Sequence, residues 1–507
     1  MQSIPVINYV VLAVLLVGAL ACLVFGLRTH WHKIRQGKAF FDAPLTRKSV
    51  LEKVNLRAVV SRGFLTSRLK DKPVAGVAHG LLYFGSLVLI VGHALLPLTW
   101  VGIPVYDGWF GHWFMELGRE IAGIALFLGA LFFLVRRFVL PERLSAYKAR
   151  PGFKRMEVFL LALVVTGFAA ESLRLGFEPE RLGGEFVGGA LGALLAATLG
   201  TDGASTGFHL FWWLHGLMGV AFIALIPFTA LSHMLLGPAN SALTSSRAGM
   251  NLPPIDFDLD DDDEDEPTFG AARLADLSQK NLLDASACLW CGRCHEVCPA
   301  TQTGKDLSPK KVMAICAEYL EEGKLDDASL IDVLGRDAMF NCTTCAACVE
   351  VCPVSNNPAE TILEFRRHFV MDRSEMPDTM AAANRNLESR EHPFVGTGAS
   401  PEDWRAGLDV PFFEAGKTEY LLWIGCSVTY EERAQEIARA MVRILDAAGV
   451  SYGILEEARC TGDPAKVMGN EMQFVEMAEA NIEDFQSMRV QKVITMCAHC
   501  FNSFDRY

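Results

Sequence analysis

All but one of the fourteen cysteines lie after residue 280, and eight of them form two copies of one pattern. The first copy reads CLWCGRCHEVCP and ends at Pro299; the second reads CTTCAACVEVCP and ends at Pro353. Three closely spaced thiolates suit a four-iron cluster, and the cysteine before each proline reaches the other cluster. Zinc sites do not need that paired ending. The spacing predicts two 4Fe–4S clusters, one held by Cys288, Cys291, Cys294 and Cys352, the other by Cys342, Cys345, Cys348 and Cys298.

Four further cysteines follow predicted strands near the end of the sequence. EYLLWIG, SYGILEEA and KVITM are typical of strands, and helical patterns over 431–448 and 471–488 separate them. This βαβαβ order predicts a parallel sheet, whose sites gather where the strands end. The thiols there could hold a third cluster, with ordinary core thiols as the alternative: Cys426, Cys460, Cys497 and Cys500.

Four histidines lie in apolar segments, where polar side chains are costly and need a reason. His79 and His93 are fourteen residues apart on the second segment, and His215 and His233 are eighteen apart on the fifth. Either spacing brings two residues to one helix face. Because these helices run antiparallel, His79 matches His233 in depth and His93 matches His215. Two such levels predict two bis-histidine haems; four separately hydrogen-bonded histidines are the alternative.

Five segments are long enough to cross about 30 Å of hydrocarbon: 7–27, 74–96, 117–139, 157–175 and 208–236. Lys and Arg crowd the loops after the first and third segments, so the positive-inside rule places both loops in the cytoplasm. The N-terminus is then outside, and everything after the fifth segment is cytoplasmic. Residues 185–200 are rich in Gly, Ala and Leu and read as a short interfacial or re-entrant piece.

The remaining composition sets the domain boundaries. A net charge of −13 argues against a nucleic-acid partner. Much of it comes from the run DFDLDDDDEDE, which is typical of a solvated linker. The spacing between the two cysteine copies favours a helical ferredoxin-like domain, with Cys316 in its core. We expect a membrane domain at 1–237, an acidic linker at 238–280, a two-cluster domain at 281–370, a connector at 371–416 and part of an α/β domain at 417–507.

These features resemble three known modules in a known order. Five helices with histidines on the second and fifth resemble the gamma subunit of respiratory nitrate reductase, which implies a dihaem b-type quinone-reactive domain. The last cysteines resemble the cysteine-rich CCG domain of heterodisulfide reductases, although Cys460-Thr461-Gly462 lacks the second cysteine of that motif. The family has two copies of the motif, and this sequence stops at Tyr507 within the first, so we expect a longer natural chain.

As a single chain, this order resembles the fused membrane iron–sulfur oxidoreductases of the electron-transferring-flavoprotein:menaquinone type. The resemblance implies electron transfer from reduced flavoprotein to menaquinone in the bacterial cytoplasmic membrane. The alternatives are a quinone-linked thiol–disulfide reductase and a non-catalytic electron-transfer subunit of a larger complex. The resemblance also implies a quinone site near the outer haem. Charged residues there are candidates for quinone binding or proton transfer, with interfacial anchoring as the alternative: Glu116, Arg119, Glu120, Glu171 and Arg174.

Overall fold

The computed structural model describes residues 4–40, 54–139, 142–178, 184–244, 254–255, 257, 269–394, 400, 402–457 and 459–507. Most of the acidic run lies outside these residues. Within them, five helical stretches are long and apolar enough to cross a membrane: Val6–Ile34, Pro73–Thr99, Gly108–Arg136, Phe153–Phe177 and Phe186–Phe228. The five-span prediction is confirmed.

The described residues of the membrane domain form six longer helices. They are α1 (Val6–Ile34), α2 (Pro73–Leu95), α3 (Arg119–Arg136), α4 (Phe153–Phe177), α5 (Phe186–Leu225) and α6 (His233–Ala242). Short helical turns fill the connections, at Leu56–Ala58, Val59–Phe64, Ser67–Leu69, Leu96–Val101, Gly108–Phe110, Gly111–Gly118 and Glu142–Ser145. Glycines bring α2 and α3 into backbone contact, because a Cβ on Gly85 would lie 2.7 Å from the carbonyl oxygen of Ala122.

The fifth span differs from its prediction at both ends. It begins at Phe186, and Gly200 bends it with a φ of 70° and a ψ of 171°, so residues 185–200 are mostly helical. It ends before Pro227, which lacks the N–H that a helix interior needs. Two short turns, Ile226–Phe228 and Ala230–Ser232, then lead into α6. The prediction of one unbroken helix over 208–236 is therefore wrong, and His233 starts a new helix.

The two-cluster domain is all-helical in its described part, as expected. Its longer helices are α7 (Gln279–Ala287), α8 (Pro309–Glu321) and α9 (Pro358–Arg367), and α10 (Asp378–Arg390) follows in the connector. Shorter turns lie at Leu274–Asp276, Arg293–Glu296, Pro299–Gln302, Ser329–Leu334, Arg336–Phe340, Ala347–Glu350 and His368–Asp372. Cys316 on α8 is 1% exposed and belongs to the domain's hydrophobic core.

The last domain has the predicted βαβαβ order. Its strands are β1 (Tyr420–Trp423), β2 (Tyr452–Gly453) and β3 (Val493–Thr495), arranged β2-β1-β3 with parallel pairing. The helices α11 (Glu432–Ala447) and α12 (Glu471–Ser487) form the crossovers, and α13 (Ala498–Arg506) follows β3. Shorter helices lie at Asp403–Arg405, Gly425–Tyr430 and Asp463–Met468.

Basic loops of the membrane domain hold the two-cluster domain. Arg68 donates hydrogen bonds to the carbonyl oxygens of Val349 and Cys352, at 2.8 and 2.9 Å. Lys72 and Arg143 both pair with Glu296, at 2.8 and 3.0 Å. These contacts place both basic loops and the two-cluster domain at one end of the helical bundle. We call this the inner end, and the opposite end the outer end.

A buried ion network joins the two-cluster domain to the last domain. Arg367 on α9 pairs with Glu471 on α12 at 2.9 Å, and both side chains are almost fully buried. Lys466 pairs with the other oxygen of Glu471. Removing one member would leave a buried charge without its partner, which costs roughly 3–5 kcal/mol. The network therefore fixes the position of the last domain against α9.

Candidate functional site

The structure brings the eight ferredoxin-type cysteines together in the two predicted sets. Cys294 lies within electrostatic range of the other three cysteines of its set, Cys288, Cys291 and Cys352. Cys348 lies within range of its own three, Cys298, Cys342 and Cys345. Cys348 also acts on Cys294, so the two sets are neighbours.

Burial favours the protonated form of the Cys288 and Cys352 thiols until a metal displaces the proton. It raises the pKa of the Cys288 and Cys352 thiols to about 12. Iron binds thiolates, so loading of the site must release protons. Four cysteine thiols in each set match the ligands of a 4Fe–4S cluster, and the paired Cys-Pro ending is not needed by a zinc site.

Both cysteine loops have the same backbone shape. Residues two and four positions after the first cysteine have positive φ in each copy: Trp290 at 53° and Gly292 at 75°, Thr344 at 52° and Ala346 at 58°. Left-handed residues between right-handed ones turn successive N–H groups toward one side, which suits an anionic group. The sequence repeat is thus a repeat of structure as well.

A buried cation lies beside each set, and neither was predicted. Lys310 is 1% exposed and donates to the carbonyl oxygens of Arg143, Leu144 and Ala146. Burial lowers the pKa of Lys310, and the nearby cysteines of the first set offset part of that effect. Arg366 donates to the carbonyl oxygen of Cys342 and acts electrostatically on that thiol. Lys310 and Arg366 differ from surface cations only in being buried, and the local sequence does not show that burial.

The four cysteines after the strands also converge. Cys426 and Cys460 have their sulfur atoms 3.6 Å apart, and Cys497 and Cys500 interact with both. The hydrogen bond from Cys500 lowers the pKa of Cys497, and the one from Cys426 lowers the pKa of Cys460. Cys500 and Cys426 therefore act as hydrogen-bond donors that stabilise the thiolates of Cys497 and Cys460. Together the four sulfur atoms form a donor set that fits a metal cluster.

The inner-end histidines share a cavity of about 260 Å³ with the first cysteine set. Its lining includes His79 and His233 from the membrane domain and Trp290 and Cys291 from the two-cluster domain. The Nδ1 atom of His79 is buried without a hydrogen-bond partner. Arginines supply much of the charge, which fits the two propionates of a haem: Arg62, Arg68, Arg136, Arg143, Arg150 and Arg293.

The outer-end histidines face each other. The rings of His93 and His215 have centroids 5.6 Å apart, with planes tilted by 43°. The Nδ1 atom of His93 bonds the carbonyl oxygen of Leu89 at 2.7 Å, and that of His215 bonds the carbonyl oxygen of Leu163 at 3.0 Å. Fixing Nδ1 in this way leaves Nε2 for a metal. The pair therefore fits an iron bound from both sides.

All five charged residues proposed near the outer haem lie together at the outer end. Glu120 accepts from the backbone N–H groups of Val187 and Gly188, and Glu116 accepts from that of Gly184. Arg119 donates to the Tyr106 hydroxyl at 2.8 Å. Sequence reasoning missed Glu185, which pairs with Arg174 at 2.9 Å. The sequence feature that could have identified Glu185 is an ionisable residue at the start of an apolar helical stretch.

Sequence comparison finds three family matches along the chain. The nitrate reductase gamma subunit family matches residues 65–244, the 4Fe-4S dicluster domain family matches 284–356, and the cysteine-rich domain family matches 420–505. The chain is 29% identical to EtfAB:quinone oxidoreductase of Syntrophomonas wolfei, over 87% of this chain and 67% of that protein. This is a membrane iron–sulfur oxidoreductase.

Other relatives match most or part of this oxidoreductase. It is 28% identical to the probable iron-sulfur-binding oxidoreductase FadF of Bacillus subtilis, over 86% of this chain and 68% of that protein. It is 27% identical to one component of the dihydromethanophenazine:CoB–CoM heterodisulfide reductase of Methanosarcina barkeri, over 46% of this chain and 61% of that component. No solved structure matches the chain at a significant level.

Proposed function

We propose that this oxidoreductase passes electrons from reduced electron-transferring flavoprotein to menaquinone, using two 4Fe–4S clusters, a further cluster in the cysteine-rich domain and two b haems. The name of the Syntrophomonas relative, EtfAB:quinone oxidoreductase, supports this donor and this class of acceptor. The proposed location is the bacterial cytoplasmic membrane, with the N-terminus outside and the cysteine domains in the cytoplasm.

One observation carries the proposal: a single cavity touches both Cys291 and the inner histidines. A chain that conducts electrons must bring its soluble and membrane centres close together. Here the contact is direct, because Trp290 and Cys291 line the same space as His79 and His233. Bound clusters and haems supply one-electron transfer, which the side chains alone do not.

The residues around this cavity hold the centres and exclude water. Trp290 is 3% exposed and lines the cavity beside Cys291. The arginines of the inner end neutralise carboxylates that enter the cavity, and the same loops hold the two-cluster domain through Glu296. The chain thereby fixes the distance between its soluble and membrane parts.

The second cysteine set is the natural point of entry. Cys345 is exposed, whereas Cys288 in the first set is buried. Tyr507 packs against the buried cluster that contains Cys348 and also against the one that contains Cys460. The cysteine-rich domain is therefore a direct neighbour of the second set, and the donor would dock on this side.

A stopped-flow experiment tests the reaction. Purified protein is mixed with reduced electron-transferring flavoprotein, and haem absorbance is followed with and without a naphthoquinone analogue. We expect haem reduction within turnover time and re-oxidation by the quinone. Haems that the flavoprotein does not reduce but that a mixed disulfide oxidises would favour the thiol–disulfide reductase. Haems reduced by the flavoprotein but never oxidised by quinone would favour an electron-transfer subunit.

A further inference from the structure

Three neighbouring carboxyl groups form a line at the outer end of the membrane domain: Glu120 and Glu185 are buried, and Glu171 is partly exposed. Glu171 on α4 is within hydrogen-bond reach of Glu120 on one side and of Glu185 on the other. An ionised carboxylate has only acceptor oxygens, so two carboxyls can bond only when a proton lies between them. The arrangement of these three residues therefore requires bound protons.

The two end carboxyls have donors of their own, and the middle one has the fewest. Glu120 accepts from the N–H groups of Val187 and Gly188 at the start of α5, where negative charge is favoured. Glu185 accepts two hydrogen bonds from Arg174, at 2.9 and 3.1 Å. Glu171 faces these two carboxyls and the more distant charge of Arg119. Glu171 is therefore the group that carries the proton.

Two unsatisfied polar atoms lie next to this line, one on Glu120 and one on Arg119, which acts on the outer histidines. Glu120 is 2% exposed, and its Oε2 atom is buried without a hydrogen-bond partner. The Nε atom of Arg119 is also buried without a partner. The Arg119 side chain lies against Gly92, since a Cβ there would be 2.8 Å from its Cδ, and it acts electrostatically on His93 and His215. A quinone carbonyl oxygen would accept from Nε–H of Arg119, and a hydroxyl group of the quinol would donate to Oε2 of Glu120.

The other end of the line leads to the surface. Glu116 acts electrostatically on Glu185, and its Oε2 atom lies 3.3 Å from Nδ1 of His112. The His112 side chain is 46% exposed. Protonatable groups thus run from the exposed surface, through the three carboxyls, to the side of Arg119 that faces the histidines.

We propose that Glu185, Glu171 and Glu120 form a proton path between the quinone site and the outer surface of the membrane domain. This rests on the proposed function, which supplies the electrons. Reduction of one quinone to quinol takes two electrons and two protons, and each carbonyl oxygen gains one O–H bond. Each proton leaves the Glu171 carboxyl through Glu120, and Glu171 is refilled through Glu185 from Glu116 and His112. Quinol oxidation uses the same path in reverse.

Quinol-driven haem reduction in the purified protein tests the path. The probe is reduced 2,3-dimethyl-1,4-naphthoquinone, and haem absorbance is followed by stopped flow. We expect Glu171→Gln to slow haem reduction about 100-fold, the scale of a lost proton-transfer group, while dithionite still reduces both haems. Formate, a small weak acid, should restore part of the rate, and the solvent deuterium effect should change. A purely structural role for Glu171 would not respond to formate.

Two further variants complete the test. Asp202→Asn alters an exposed carboxylate near the Gly200 bend of α5 and should keep the full rate. Glu120→Gln replaces a second member of the path and decides the question if Glu171→Gln loses its haems. Wild-type rates and an unchanged deuterium effect in a Gln variant would overturn the path alone. Wild-type haems that do not respond to the quinol would overturn the proposed quinone reaction and the path with it.

Discussion

The carbonyl oxygen of Arg143 occupies the space that a side chain on Gly292 would need. Gly292 lies in the first cysteine loop with a φ of 75°, and Arg143 lies in a basic loop of the membrane domain. The absence of a side chain therefore lets the two domains touch next to Cys291. The equivalent position in the second copy, Ala346, has a φ of 58° and carries a Cβ.

Gly292→Ala should separate the two-cluster domain from the membrane domain. The positive φ costs more than about 1 kcal/mol in a non-glycine residue, and the Cβ would also push Arg143 away. We expect loss of the carbodiimide cross-link between Lys72 and Glu296, whose charged atoms lie 2.8 Å apart. Mass spectrometry of the digested protein measures it.

Ala346→Gly is the matched control for this prediction. Ala346 also has a positive φ, so glycine relieves backbone strain there. The variant should keep the cross-link and raise the free energy of unfolding by up to ~1 kcal/mol. Equal cross-linking in both variants would show that the Gly292 contact does not hold the domains together.

Cys426→Ser and Cys460→Ser should each remove iron from the cysteine-rich domain and leave the other eight irons of the two-cluster domain in place. Their sulfur atoms lie 3.6 Å apart in a convergent set of four thiols, so a lost ligand breaks that site alone. Iron analysis and EPR spectra measure the result.

Cys316→Ala is the control for the cysteine variants. Cys316 lies on α8, outside both cysteine repeats, and is 1% exposed in the hydrophobic core, so we expect that it binds no cluster. Its replacement should leave iron unchanged. Iron that stays constant in Cys426→Ser and Cys460→Ser as well would mean that these thiols are structural.

Local spacing explains which features could be predicted from the sequence. Cysteine positions such as Cys288 and Cys342 sit in short repeated patterns, and the five spans need only length and apolarity. The apolar run after Glu419 and the alternation of strand and helix patterns that follows it were enough to predict the parallel sheet. Each of these signals lies within a few turns of chain.

Features that depend on distant contacts were missed or wrong. The fifth span was extended through Pro227, because apolarity continues past the point where the helix ends. Lys310 looks like any helix lysine until its burial under the 143–146 loop is known. Glu185 could be recognised as a site residue only from its contacts with Arg174 and Glu171, which lie on another helix.

Lys310→Met should lower the reduction potential of the first cluster. The buried ammonium lies within electrostatic range of Cys288, Cys291 and Cys294 and favours the more negative, reduced state. Its loss should shift the potential by tens of millivolts, with about 59 mV for each tenfold change in a one-electron equilibrium. An EPR-monitored redox titration measures this. Lys311→Met, the neighbouring and less buried lysine, should leave the potential unchanged; equal shifts would assign the effect to overall charge.

Two histidine variants test the order of the membrane centres. His233 borders the cavity that Cys291 also lines, whereas His93 faces His215 at the outer end. His233→Ala should therefore remove one of two b haems and leave the other reducible by quinol but not by the flavoprotein. His93→Ala should remove the other haem, so that the flavoprotein still reduces the remaining one but quinone reduction fails.

Haem content and kinetics together decide between the outcomes of this last prediction. The pyridine haemochrome assay should give one haem in each variant and two in His209→Ala, since His209 packs against Phe208 and is in neither pair. Two haems in both His233→Ala and His93→Ala would refute the ligand assignment. One haem in each with the two kinetic results exchanged would keep the ligands but move the quinone site to the inner end. The outer position is expected because Arg119 acts electrostatically on both His93 and Glu171, so a quinone bound at Arg119 would have a hydrogen-bond donor and a nearby carboxyl group.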